Sequence, residues 1–154
     1  MPISQMELKK YIKIIDNSLP LEDIANLVKF VKKLDYKKSR VGAQGHIKED
    51  VRKVHDYGLE NLKPSLTEAK WSNFLRFFFV SAIKRYINDT VKKNPHEIST
   101  GIVKEVTALK YEEGGHYIYH TDYFNEQPRQ FSLILMLNND FEGGEITFTT
   151  PSYE

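Results

Sequence analysis

The apolar period of this chain changes near residue 101, and that change confines it to a fold with both helices and a sheet. Before it, apolar residues recur every three or four positions; after it, they alternate or run on in short stretches. A repeat near 3.6 gives a helix one apolar face, and a repeat of two does the same for a strand. The clearest helix starts at Ser65-Leu-Thr-Glu68, a capping-box pattern directly after Pro64. Trp71, Leu75, Phe78, Ala82 and Tyr86 follow at steps of three and four, with Phe74, Phe79, Ile83 and Ile87 widening the stripe. The pattern predicts one long helix to about Lys92, ended by Lys92-Lys-Asn-Pro95 and packed across the outside of a sheet.

Two shorter helices are expected ahead of it. Residues 4–16 place Leu8, Tyr11, Ile12 and Ile15 at helical spacing, and Asn17-Ser18 breaks the pattern. Pro20 suits the first turn of the next helix, and Glu22 and Asp23 sit where the helix dipole favours acids. Leu21, Ile24, Val28 and Val31 then form one apolar face as far as Leu34. Both helices read as packing and support, with a protein-binding face as the alternative. Residues 35–64 are mixed. The basic, glycine-containing stretch from Tyr36 to Gly45 reads as a loop, and His46 and His55 read as solvated side chains.

Downstream, Ile102 to Leu109 is the first expected sheet strand. Gly114-Gly115 turns into the next, which carries His120. Phe131 to Asn138 is apolar on both faces, as in a strand covered on both sides. Asn138-Asn-Asp140 and Gly143-Gly144 punctuate a last hairpin. Asp140, Glu142 and Glu145 could serve calcium, but the turn is a sufficient reason for them.

Composition removes several classes of function. A length of 154 residues suits one domain. With no cysteine, disulfides, thiolate catalysis and Cys-type zinc sites are excluded. A net charge of +1 gives no ground for a general nucleic-acid or acidic-membrane partner. The start Met1-Pro-Ile-Ser-Gln5 has no apolar signal region, and the run Phe77 to Ile83 is too short to span a bilayer. A cytoplasmic location is therefore expected.

The chemistry concentrates in Lys110-Tyr-Glu-Glu-Gly-Gly-His-Tyr-Ile-Tyr-His120-Thr-Asp122-Tyr-Phe124. His120 and Asp122 stand two residues apart, so on a strand both point to one face. An imidazole beside a carboxylate supplies two of the three ligands of a 2-His-1-carboxylate triad, which holds Fe(II) and leaves positions open. Around this pair lie Tyr111-x-x-Gly114 at a strand start, Arg129 opening the next strand, a strand ending in Leu137-Asn138, and Gly143-Gly144-Glu145. In that order and spacing, residues 101–150 resemble the 2-oxoglutarate- and Fe(II)-dependent dioxygenases, in their prolyl 4-hydroxylase-like branch. The segment Val51 to Leu59, with Arg52 ahead of the core strands, resembles the family's first core segment more loosely.

The resemblance implies an α+β fold, in which a helical N-terminal part (1–98) packs on the first half of a double-stranded β-helix, the cupin-like jelly roll (99–154). It implies Fe(II) held by His120, Asp122 and a second His, with 2-oxoglutarate as co-substrate and ascorbate as a further cofactor. The implied reaction oxidises 2-oxoglutarate to succinate and CO2 and hydroxylates a C–H bond, by default on a peptidyl substrate. Tyr111 matches the family's tyrosine that hydrogen-bonds the co-substrate. Ser132, Ile134 and Met136 are expected to point inward beside the iron. Met136 stands where many relatives carry a tyrosine, and a thioether cannot donate that hydrogen bond. Arg129 has a structural role or sits near the substrate mouth, and His116 is a bystander.

The family's distal His and its co-substrate Arg or Lys have no counterpart up to Glu154. A C-terminally incomplete jelly roll is therefore expected, with weak iron binding and no 2-oxoglutarate turnover above background. Uncovered edges predict a homodimer or a strand-completing partner. Two other readings stay open: a non-catalytic jelly-roll binding or assembly module, and a cupin-like metal protein without 2-oxoglutarate.

Overall fold

The computed structural model describes residues 8–42, 45–91, 102–123 and 129–149. The element that local sequence specifies best is the long helix α2, Leu66–Tyr86, followed by one π-helical stretch, Ile87–Val91. The Ser65 hydroxyl accepts the Glu68 backbone N–H at 3.2 Å, so the capping box closes on its first arm. The second arm does not form. The Glu68 carboxylate turns inward and accepts from the Tyr57 hydroxyl (3.0 Å) and from Asn61 Nδ2 (2.7 Å). The expected stop at Lys92–Pro95, and His96 beyond it, lie outside the described residues.

Helix α1, Leu21–Val31, starts behind Pro20 with Glu22 and Asp23 in its first turn, as the sequence predicts. Its buried face keeps Val31 and Leu34 of the expected one and shifts at its start. Leu21 is 85 % exposed, while Leu27 is buried, with Phe30, Val31 and Leu34 packed beside it. The Phe30 ring stacks on Trp71 at 6.1 Å, and this large contact sets the rotation of the helix. The helix expected over 4–16 reduces, among the described residues, to a 3-10 turn at Lys9–Tyr11. Of its apolar stripe, Leu8, Ile12 and Ile15 are half-buried and Tyr11 is exposed, and the Tyr86 hydroxyl donates to the Tyr11 carbonyl at 2.8 Å. A helix that short does not sustain itself without tertiary contacts.

The sheet begins earlier than the change of period suggests. Strands β1 (Lys37–Lys38), β2 (Arg52–Lys53) and β3 (His55–Gly58) all fall in the stretch read as helical support and loop. Strand β3 is the centre of a three-stranded antiparallel sheet in the order β1-β3-β4, where β4 is Thr107–Lys110. The register sets Asp56 opposite Lys37 on one side and Leu109 on the other. Lysines on the edge strand β1 discourage pairing with another chain. Beyond it, Val41 and His46 bridge across a turn in which Gly42 and Gly45 have positive φ.

The strand expected over 102–109 is regular only in its second half. Before it, one backbone bond, from the Leu59 N–H to the Val106 carbonyl at 2.9 Å, is supplemented by charged side chains. Glu60 Oε1 accepts the Val106 N–H at 2.7 Å and pairs with Arg76 Nη2 at 2.8 Å, while Arg76 Nη1 donates to the Val103 carbonyl at 2.6 Å. Leu59 and Val106 thereby join Leu27, Trp71 and Leu75 in one core, on which Leu135 and Leu137 also pack.

The Gly114-Gly115 turn does not fold β5 (His116–Tyr117) back onto β4, as a hairpin would. It carries the chain to a second, two-stranded sheet in which β5 pairs with β2. Gly114 has φ +69°, and a Cβ on Gly115 would lie 2.7 Å from the Glu112 carbonyl oxygen. Residues 131–137 alternate as a strand does, with Leu133, Leu135 and Leu137 half-buried and Ser132, Ile134 and Met136 exposed. No ladder pairs them among the described residues, whose paired strands do not show a double-stranded β-helix or a jelly roll. The fold is α+β at this coarser level. Among the described residues, no helix is long and apolar enough to cross a membrane.

Candidate functional site

The small β2–β5 sheet positions the His-x-Asp stretch. Its register sets Arg52 opposite Tyr117 and Lys53 opposite His116, and the Ile118 N–H donates to the Val51 carbonyl at 3.0 Å. Alternation puts Arg52 and Tyr117 on one face and Lys53 and His116 on the other. On the first face the Arg52 guanidinium carbon lies 4.8 Å from the Tyr117 ring centroid, a cation–π distance.

The strand ends at Tyr117, so His120 and Asp122 do not sit on a regular strand as the two-residue spacing suggests. A bend brings them together instead. The His120 Nδ1–H donates to the Ile118 carbonyl at 2.8 Å, two residues back, and the imidazole lies flat over the Tyr117 ring at 3.5 Å between centroids and 17° between planes. A carbonyl only accepts, so this bond fixes the proton on Nδ1 and turns Nε2 outward.

His120 Nε2 stands 3.5 Å from Asp122 Oδ1. The other carboxylate oxygen, Oδ2, accepts from the Ser132 hydroxyl, which ties the pair to the segment 131–137. The separation is long for a good N–H···O bond, whose usual range is about 2.7–3.2 Å. Two donors bound at right angles to one cation at about 2.0–2.2 Å would stand about 3 Å apart, so a small closure brings both onto a shared ion. Both side chains remain partly open to solvent, at 35 % and 44 %. The donor set, a neutral imidazole nitrogen and a carboxylate oxygen with the far imidazole nitrogen held by a backbone carbonyl, fits Fe(II) or a similar divalent cation.

The other expected site residues divide. Tyr111 is half exposed; burial raises its phenol pKa, the nearby Arg52 charge offsets part of that rise, and Tyr117 adds to it. Ser132 touches the pair directly. Ile134 and Met136 continue the Ser132 row but are 61 % and 54 % exposed, and not enclosed as expected, because no second layer covers this face among the described residues. Arg129 pairs with Glu105 at 3.0 Å and ties its segment to the approach to β4. The two ring nitrogens of His116 lie 3.1 Å from the Gly114 carbonyl and 3.4 Å from the Asp50 carbonyl, on the far face. His55 belongs to the other sheet, opposite Lys38 and Lys110.

Asp140 accepts from Asn138 Nδ2 at 2.6 Å, and this bond pulls its carboxyl below the usual value. Gly143 and Gly144 have φ +74° and +71°, which a turn requires. Among the described residues, no three His, Asp or Glu side chains gather as a metal group. Sequence reasoning missed the Arg52–Tyr117–His120 stack. The tyrosine three residues before His120 is visible, but its partner arrives from a strand about 65 positions away. No family model, no curated protein and no solved structure matches this chain.

Proposed function

We propose that this chain carries the His-x-Asp part of the Fe(II) centre of a 2-oxoglutarate-dependent dioxygenase of the prolyl 4-hydroxylase type, whose substrate is peptidyl. The supporting observation is the convergence of His120 Nε2 and Asp122 Oδ1 at 3.5 Å, with His120 Nδ1 committed to the Ile118 carbonyl. Two electron-rich atoms so placed repel unless a proton or a metal ion lies between them. The ordered motif Tyr111-x-x-Gly114, His120-x-Asp122, Arg129 and Gly143-Gly144-Glu145 favours the metal. When bound, iron with 2-oxoglutarate and O2 would supply the oxidation that leaves succinate, CO2 and a hydroxylated C–H bond. The protein's own part is to hold both donors, orient the carboxylate through Ser132 and present the Tyr111 phenol to the co-substrate. The double-stranded β-helix of such enzymes is the architecture proposed for residues 99–154.

Anaerobic Fe(II) titration followed by 2-oxoglutarate tests the reading. The wild-type chain should bind Fe(II) weakly and develop the charge-transfer absorption of an Fe(II)–2-oxo acid chelate. His120→Ala and Asp122→Ala should lose both while keeping the fold, because neither side chain fills the core. Iron binding that survives His120→Ala would refute it. The exposed Ile134 and Met136 beside the site favour a second reading, a non-catalytic assembly module. That reading predicts self-association indifferent to metal.

A further inference from the structure

Metal affinity depends on how firmly a ligand is held before the metal arrives, since any freedom it loses on binding weakens the complex. His120 lies outside any regular element, so its backbone alone does not fix the ring. Two contacts do. The Ile118 carbonyl takes the Nδ1 proton, and the Tyr117 ring covers one imidazole face at 3.5 Å. Tyr117 is itself anchored by its position in β5 and by Arg52 on the paired strand. The imidazole stacks on the Tyr117 ring, and the Arg52 guanidinium carbon lies 4.8 Å from the centroid of the same ring. The Arg52 Nε is buried without a hydrogen-bond partner, and Nη1 makes only a 3.5 Å contact with the Arg40 carbonyl. Its packing on the ring is therefore its principal described contact.

We propose that Tyr117, clamped by Arg52, is a positioning residue that holds the His120 imidazole in the orientation that presents Nε2 beside Asp122. This rests on the metal reading of the site. The phenol oxygen takes no part; the aromatic face does. Tyr117→Phe keeps that face and Tyr117→Leu removes it.

The experiment has one arm without metal and one with it. In the metal-free chain, side-chain NMR of His120 should show a single rotamer and ring-current-shifted imidazole protons in wild type and Tyr117→Phe. In Tyr117→Leu the couplings should average and the shift should vanish. Co(II) titration should then give equal affinities for wild type and Tyr117→Phe, and about tenfold weaker binding for Tyr117→Leu. Should Tyr117→Leu unfold, Arg52→Met keeps an aliphatic side chain, removes the guanidinium, and should also increase His120 averaging. An unchanged His120 rotamer and Co(II) affinity in a folded Tyr117→Leu chain overturns the positioning role alone. Failure of the wild-type chain to bind Co(II) overturns the metal reading beneath it.

Discussion

Glu68 has two places in this molecule, and only one of them is written locally. Its backbone N–H closes the Ser65 cap, which Ser-x-x-Glu after Pro64 announces. Its carboxylate is almost fully buried and is held by Tyr57 and Asn61, a partnership that no local pattern encodes. Burial and the Glu68 hydrogen bond together raise the Tyr57 phenol above its ordinary value of 10.0. A raised folded pKa gives stability that is fully present below the unfolded value and is lost as pH rises through the folded one. Urea unfolding should therefore show stability falling above about pH 10. Tyr57→Phe should flatten that alkaline slope while lowering stability at neutral pH, because a buried carboxylate loses a donor. An unchanged alkaline slope in the variant would detach Tyr57 from Glu68. The site divides in the same way. His120 and Asp122 are legible from their spacing, while the bend that joins them depends on the Ile118 carbonyl and the distant Arg52.

Among the elements, α2 is legible and the sheets are not, and contact range explains the difference. A helix is built from bonds four residues apart, so the Ser65 cap and the stripe through Trp71 and Leu75 suffice. The strands are two to four residues long, too short for alternation to register, and β3 finds β4 only about 50 positions later. On α1 the expected face is only partly the buried one for a related reason, since the long-range Phe30–Trp71 contact brings Leu27 and Phe30 into the core beside Val31 and Leu34. The two faces of α2 give a sharp contrast. Trp71 is buried between Phe30 and the edge-on ring of Phe74, whereas Phe77 is 75 % exposed. Trp71→Ala should cost about 3–5 kcal/mol through the cavity it leaves. Phe77→Ala should stay within about 0.5 kcal/mol. Chemical denaturation of both variants checks this, and equal losses would show that α2 is rotated from the orientation described.

For the whole molecule, the exposed apolar side chains are the telling feature. Among the described residues, Ile118, Tyr119, Ile134, Met136, Ile146 and Phe148 are all exposed. Such surface drives association, so the purified chain should run larger than a monomer in light scattering, and Ile134→Lys with Met136→Lys should reduce its mass. A strict monomer at high concentration would mean that this face is covered within the chain. The apolar run 131–138 reads as a strand covered on both sides, whereas only the Leu133, Leu135 and Leu137 side is half-buried, with Leu135 and Leu137 packed on the helical core. The central claim is that His120 and Asp122 share one metal ion, and the direct measurement is Fe(II) binding to wild type, His120→Ala and Asp122→Ala in parallel under anaerobic conditions. The account predicts one weak site in the wild-type chain and none in either variant at unchanged melting temperature. Binding retained in either variant, or absent from all three, would contradict it.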